Sequence, residues 1–373
     1  MRSALSLQAV MARFLKTNVR HSPRQAQVCA HIQTCRTAAL GGMTLQCDQC
    51  DAVMPHYFAC RDRHCPHCQH HAANRWSELQ QQSVLPITYY HVVFTLPHSL
   101  NAWMQLHPEC LYALWFQSVW ATLKAFGADP KRLGGELGMT AVLHTWGQTL
   151  TQHVHLHCLI PGGVFTTQGR WRAAKSNYLF PVRALSRQVR GRMVSALRLA
   201  CQRGELHRVT RPGEVDRLLD ILMHTDWIVY SKHCVSPTQT VVAYLSRYTH
   251  RIAITEARLL AMDNDSVTFR YQDYRTPGKP KHMQLSGEEF IRRFLLHVLP
   301  KGFMRIRHFG FLANRCRAAK LKQIRIALEL EEENDETIAI TTKLPFDGYP
   351  CPRCRQGYAR RCYLIAPIRW KGG

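Results

Sequence analysis

Between Thr151 and Pro161 the chain reads T-Q-H-V-H-L-H-C-L-I-P, with His153, His155 and His157 at every second position. Alternate side chains of a β-strand share a face. The three imidazoles therefore project from one side, while Val154, Leu156, Cys158 and Ile160 point into a core. A row of imidazoles on a buried strand is a ready site for a divalent metal ion, and three in register outweigh the ordinary account of a satisfied core histidine. His144 lies eleven positions before His155, and a hairpin turned near 147–152 brings it alongside as the third ligand. His153 competes for that role, and Gln148 is a weaker contender. Such a site is expected to take Mg(II) or Mn(II) and to leave positions open for phosphate oxygens. The stretch Y-L-S-R-Y adds Tyr244 and Tyr248, one helical turn apart. Aromatics at that spacing are most often core, but Arg247, His250 and Arg251 give these two a cationic setting that suits a phosphate. A metal-held phosphate beside paired phenol hydroxyls is the equipment for making a phosphotyrosine bond.

The cysteines carry a different chemistry. Cys47-x2-Cys50 is followed by Cys60-x4-Cys65-x2-Cys68, and each Cys-x2-Cys knuckle grips one edge of a tetrahedral Zn(II). The expected ligands are Cys47, Cys50, Cys65 and Cys68. This zinc is structural, because a fully thiolate site leaves no open position for reaction. Cys60 and Cys35 remain over, with His56, His64, His67 and His70 nearby, which leaves room for a second zinc or an exchanged ligand. Cys29 reads as a small buried apolar residue. Near the end of the chain, Cys351-Pro-Arg-Cys354 and Cys362 make an incomplete site that needs a fourth ligand from elsewhere in the fold.

The whole chain has 373 residues, 46% of them hydrophobic, with 49 Lys+Arg against 25 Asp+Glu and a net charge of +24. That excess favours a polyanionic partner. No apolar run is long enough to span a bilayer, and no signal-peptide pattern opens the chain, so nucleic acid in a reducing cytoplasm is the expectation. From Lys301 to Lys320 the cations Arg305, Arg307, His308, Arg315 and Arg317 alternate with Phe303, Phe309 and Phe311. Cations track a phosphate backbone and aromatics stack on unpaired bases, which suits single-stranded DNA. Together with Arg247 and Arg251, Arg305, Arg307, Arg315 and Arg317 are the expected DNA contacts.

These residues need elements to position them. Residues 1–28 read as a helical segment and 29–75 as a small metal-stapled module. Strands are expected at 88–96, 139–146, 153–160 and 227–230, with helices over 101–128 and 183–203. Ser236 as N-cap, Pro237 at the first helical position and Gln239 completing a capping box start a helix that runs to about His250 and carries both tyrosines. A hairpin follows at 252–262 and 266–272, and 286–326 reads as helical and basic. Residues 76–326 make the catalytic domain, and 327–373 an acidic tether with a cysteine-containing tail. The fold class is α+β: an antiparallel sheet of about five strands, the histidine strand central, helices packed on it, and the zinc module added.

The segments R-T-A-A-L-G-G, C-R-D-R-H-C-P-H-C-Q, Y-Y-H-V-V-F-T-L-P, H-T-W-G-Q-T-L-T-Q-H-V-H-L-H, Y-L-S-R-Y-T-H-R-I-A-I and R-I-R-H-F-G-F-L-A occur in this order. Together they resemble rolling-circle insertion-sequence transposases, the two-tyrosine members of the HUH endonuclease class in the group named for insertion sequence ninety-one. The resemblance implies that His155-Leu156-His157 is the HUH motif and that Tyr244 and Tyr248 are the nucleophiles. It also implies a bacterial, nucleoid-associated enzyme acting on element ends and target DNA. Two rival readings are a zinc-finger regulator, which leaves the histidines and tyrosines idle, and a metal-dependent phosphodiesterase using water, which lacks carboxylates near these motifs.

Overall fold

The computed structural model describes residues 5–16, 21–69, 84–175, 179–211, 213–234, 252–273, 278, 280–330 and 348–368. Helix α1 (Leu7–Phe14) starts at Ser6, whose hydroxyl accepts from the Ala9 N–H, and α2 (Pro23–Thr34) starts at a capping box between Ser22 and Gln25. Strands β1 (Gly42–Cys47) and β2 (Val53–Tyr57) form a hairpin, and β3 (Tyr89–Thr95) opens the second half of the molecule. The helix expected over 101–128 is two, α3 (Asn101–Leu106) and α4 (Pro108–Ala128). The break at His107 has a simple cause: a residue before proline is pushed out of the helical region.

Strands β4 (Gly138–Trp146) and β5 (Gln152–Pro161) follow as an antiparallel pair, and β6 (Gly163–Phe165) and β7 (Trp171–Ala173) make a small ribbon. Helices α5 (Val182–Gln202) and α6 (Glu214–His224) precede β8 (Val229–Cys234). A three-stranded sheet of β9 (Leu259–Met262), β10 (Ser266–Tyr271) and β11 (Lys281–Ser286) leads into α7 (Gly287–Leu295). The helical reading of 286–326 fails in its middle, where β12 (Ile306–Gly310) intervenes before α8 (Arg317–Ala327). Arg305, Arg307, Phe309 and Phe311 recur every two residues, a strand period rather than a helical one. The tail contributes β13 (Tyr349–Pro350) and β14 (Tyr358–Ile365), which joins β1.

The central sheet has five antiparallel strands in the order β12-β4-β5-β3-β8, with the histidine strand in the middle. One face carries Val92, Phe94, Ala141, Leu143, Leu156 and Cys158 into the main core, against α3 to α6. A second core joins α1 and α2 to β9, β10 and α7 through Leu7, Val10, Ile32, Phe269, Phe290 and Phe294. Cys29 lies in it, 2% exposed, with its thiol pushed up to about 11 by burial. No helix among the described residues is long and apolar enough to cross a membrane.

One buried and one half-buried imidazole are expected to make stability pH-dependent. His297 is held between the Leu150 carbonyl at 3.0 Å and Thr145 Oγ1 at 3.3 Å, and burial pulls it down to about 4. Burial, with Arg317 nearby, does the same to His308. Both stay neutral in the folded chain, whereas in the unfolded chain they titrate near 6.5. Their penalty is absent above about pH 7 and grows as pH falls from about 6.5 towards 4, because the unfolded state binds the extra protons. The urea midpoint is therefore expected to drop between pH 7 and pH 5, and to drop less in His297→Gln. Identical pH profiles for the two proteins would contradict this.

Candidate active site and zinc sites

The exposure of β5 alternates as its sequence predicts: Gln152, Val154, Leu156 and Cys158 are buried, and His153, His155 and His157 are partly open. His144 on β4 pairs directly with His155, as the hairpin expectation required. The ring nitrogens of His144, His155 and His157 lie within 4.8 Å of one another. Two further bonds aim them. His155 Nδ1 meets the His153 carbonyl at 2.9 Å, so that nitrogen donates and Nε2 keeps its lone pair. His157 Nδ1 meets His91 Nε2 at 2.9 Å, which likewise turns Nε2 of His157 to the cluster. The two Nε2 atoms then stand 3.1 Å apart. Adjacent ligands of an octahedral ion with bonds near 2.1 Å lie about 3.0 Å apart, so the donors fit a divalent ion.

His153, the rival third ligand, turns away from the cluster to His98 Nε2 at 3.1 Å. Gln148 faces elsewhere too, its side chain accepting from the Gln272 N–H at 3.4 Å. His144 is 2% exposed and stacks on Trp146 with ring centroids 4.7 Å apart. His91 was not singled out as a site residue in the sequence, although its strand was. It sits on the same face as His157 because Val93 pairs with His157 and His91 is two residues on. Burial, then nearby Lys232, pulls its imidazole down to about 4, so it is neutral at physiological pH.

The histidine face is the one without the main core. From edge to edge it carries His308 and Ile306 on β12, Thr140 and Val142 on β4, the histidines on β5, and Tyr230 and Lys232 on β8. Ile228 and Tyr230 on this border are 67% and 55% exposed. Tyr244, Tyr248, Arg247 and Arg251, with the helix expected to carry them, lie outside the described residues.

The paired knuckles meet partners different from those the sequence suggests. Cys65 and Cys68 meet Cys35 and Cys60, whereas Cys47 and Cys50 meet Cys351 and Cys354. The reason is the β1–β2 hairpin. Cys35 and Cys60 flank its open end and Cys47 and Cys50 its turn. Five strand residues put about 16 Å between those ends, far more than one tetrahedral ion spans. In the first cluster the Sγ–Sγ distances are 3.7 Å (Cys35–Cys68), 3.6 Å (Cys60–Cys68) and 3.6 Å (Cys35–Cys65). A tetrahedron with Zn–S bonds of about 2.3 Å has edges of about 3.8 Å, so four thiolates there fit Zn(II).

The loop of this cluster is tied to the central sheet. Asp62 accepts from the His64 N–H at 2.9 Å, from His64 Nδ1 at 2.8 Å and from His31 Nδ1 at 3.0 Å. Burial opposes ionisation of Asp62, but these bonds hold its carboxyl well below the usual range. With Nδ1 donating, His64 Nε2 accepts from the Leu299 N–H at 3.2 Å. Arg63 reaches the Phe303 carbonyl, and the Arg305 carbonyl accepts from the Leu143 N–H at 2.8 Å, one residue from His144.

Residues 138–320 match the family model described as "Putative transposase", and residues 6–96 match the one described as "Transposase zinc-binding domain". The "Putative transposase y4qJ" of Sinorhizobium fredii is 41% identical over 354 residues, covering 90% of this chain and 88% of its own length. The chain belongs to the IS91 family of transposases. The "Transposase for insertion sequence element IS801" of Pseudomonas savastanoi pv. phaseolicola is 29% identical over 329 residues, covering 82% of this chain and 74% of its own. No solved structure matches the chain significantly.

Family membership gives the transposase its DNA partner, and the structure sorts the expected DNA contacts. Arg305 is 8% exposed and donates to Gln69 Oε1 at 3.1 Å, so it braces the zinc loop rather than standing on an open surface. Arg307 lies over the rings of Phe116 at 4.4 Å and Phe303 at 4.9 Å, on the helix side of the sheet, away from the histidines. Phe303 and Phe311 are buried and Phe309 stacks on Trp120 at 5.3 Å, so the aromatics expected to stack on bases are core instead. Arg315 is exposed, and Arg317 is partly exposed.

Proposed function

We propose that this transposase nicks and rejoins single-stranded DNA at the ends of its element through a 5′-phosphotyrosine intermediate, using a HUH-type nuclease domain in rolling-circle transposition. The observation that carries this reading is the convergence of His144, His155 and His157 at the centre of a sheet whose histidine face is free of the main core. When bound there, a divalent ion supplies Lewis-acid polarisation of the scissile phosphate. All the protein donors in the cluster are nitrogens, which favours Mn(II) over the oxygen-seeking Mg(II).

The described residues that bracket the tyrosine segment support this reading. Residues 235–251 connect the end of β8, on one side of the histidine strand, to Ile252 on the other. Ile252 and Ala253 line a small cavity with Trp146, the residue stacked on His144. A tyrosine from that segment attacks phosphorus, an O–P bond forms, the bond to the 3′ oxygen breaks, and the 3′ oxygen leaves as a hydroxyl with the proton given up by the phenol. Attack by a DNA 3′-OH reverses the step. Bond energy is conserved in the adduct, so no nucleotide cofactor is required. Arg247 and Arg251 stand beside the phosphate in this proposal, and Arg315 and Arg317 hold the strand further away.

The test is to incubate the full chain and Mn(II) with single-stranded oligonucleotides of the element ends, labelled at either end. A denaturation-resistant species that carries the segment 3′ of the nick is expected. Cleavage that leaves no such species would replace the reading with hydrolysis by water. His91 offers a second check. As the partner that fixes the His157 tautomer, its replacement by Ala should weaken Mn(II) binding about 10- to 100-fold. His91→Gln, whose amide can still meet Nδ1, should restore much of it. Unchanged Mn(II) affinity by calorimetry in His91→Ala would remove His91 from this role.

A further inference from the structure

Half of the second thiol cluster lies outside both segments that match family models: Cys47 and Cys50 belong to the β1–β2 turn, and Cys351 and Cys354 to the tail. Cys47 Sγ is 3.7 Å from Cys354 Sγ, and Cys50 Sγ is 3.8 Å from Cys351 Sγ, although 307 and 301 positions separate them in sequence. All four sulfurs lie within 4.8 Å of one another. These spacings match the edge of about 3.8 Å for a tetrahedral zinc tetrathiolate.

The two turns mirror each other. The Cys47 N–H donates to the Ala52 carbonyl at 3.1 Å, and the Cys351 N–H to the Gly357 carbonyl at 2.8 Å. The residue after each second cysteine has a left-handed backbone, Asp51 at φ 52° and Arg355 at φ 60°. One backbone N–H in each turn points at sulfur, Gln49 to Cys47 and Gly357 to Cys354, both at 3.4 Å. The turns also touch. A Cβ on Gly357 would come within 2.6 Å of Asp48 Oδ1, which accepts from the Tyr358 N–H at 2.8 Å.

Apart from the β1–β14 strand pairing, this end of the molecule has little apolar packing among the described residues. Its apolar cluster has three buried members, Cys47, Ala52 and Cys351, beneath a four-stranded sheet in the order β13-β14-β1-β2. A core that small needs a metal or a covalent staple. We infer that Cys47, Cys50, Cys351 and Cys354 bind a second structural zinc ion, which clasps the carboxy-terminal hairpin onto the amino-terminal module. The chain thus carries two zinc ions, and β14 is a working part of the zinc module despite its place at the far end of the sequence. Cys362 is not a ligand: it is exposed, and its thiol faces Gln46 Oε1 at 3.6 Å.

Metal analysis of the full chain tests this. Two zinc ions per chain are expected in the parent and in Cys362→Ser, and one in Cys351→Ser/Cys354→Ser. Cobalt substitution should give tetrahedral thiolate absorption that is halved in the double variant. One zinc in the parent, or two in the double variant, overturns the inference. A second experiment keeps every cysteine in place. With a protease site engineered between residues 337 and 346, the cleaved tail should stay with the body on gel filtration, whereas in the cleaved double variant it should separate. A tail that leaves the cleaved parent, or stays with the cleaved variant, removes the clasp.

Discussion

Replacing His155 and His157 together with Ala should lower strand cleavage by about 1000-fold or more while changing the affinity for single-stranded DNA by less than about threefold. Two of the three converging nitrogens go, and one imidazole on His144 cannot hold a divalent ion at working concentrations. The lost Lewis-acid contribution is several kcal/mol, and each 1.36 kcal/mol is tenfold in rate. DNA affinity should survive because it comes from cations spread over a chain of net charge +24, and both histidines sit on one strand that keeps its buried partners Val154, Leu156 and Cys158. Raising Mn(II) should not rescue the double variant. The His144→Ala variant should be milder and partly rescued by Mn(II), since the pair with Nε2 atoms 3.1 Å apart remains. Cleavage by the double variant at near-parent rates would move the reaction centre elsewhere. Loss of DNA binding in parallel would show that the substitutions had damaged the fold.

The histidine centre was legible in the sequence because two periodicities agreed. A strict alternation over 152–158 fixed which face each residue takes, and a short polar turn brought the strand before it alongside. The exact register was not legible: Trp146 pairs with Gln152, and a β-bulge between His144 and Trp146 shifts the ladder so that His144 falls opposite His155. The thiol clusters were legible as residue types and not as partners. A Cys-x2-Cys knuckle specifies one edge of a tetrahedron and leaves the other edge to the tertiary fold, which here draws on Cys35 before the hairpin and on Cys351 and Cys354 at the far end of the chain. The alternating cations and aromatics near 303–311 misled for a related reason. Period-two amphipathicity describes any half-buried strand, and β12 spends its Phe309 on the core beside Trp120. His91 escaped notice because its role depends on a neighbour in the sheet, His157, that is 66 positions away.

The two tyrosines should separate cleavage from transposition. On the helix that the sequence predicts for this segment, Tyr244 and Tyr248 would share one side, with Cβ atoms about 6 Å apart. Both hydroxyls can then reach one phosphate site, though not at the same moment. Tyr244→Phe and Tyr248→Phe should each still form a covalent adduct on an isolated oligonucleotide of one element end, because the remaining hydroxyl can take the site. Complete transposition requires one end to be held while the other is cut and joined, so each single variant should fail in a two-ended assay by about 100-fold or more, the usual scale for removing a group that acts in the chemical step. The double Phe variant should make no adduct at any metal concentration, while its zinc content and DNA affinity match the parent. Loss of the phenol oxygens leaves the cationic surface and the histidine cluster untouched, so a failure confined to the covalent step points to the nucleophile. A 5′-linked species formed by the double variant would place the nucleophile on another residue. A double variant that still cuts but leaves no adduct would identify water as the attacking group and make the protein a metal-dependent phosphodiesterase.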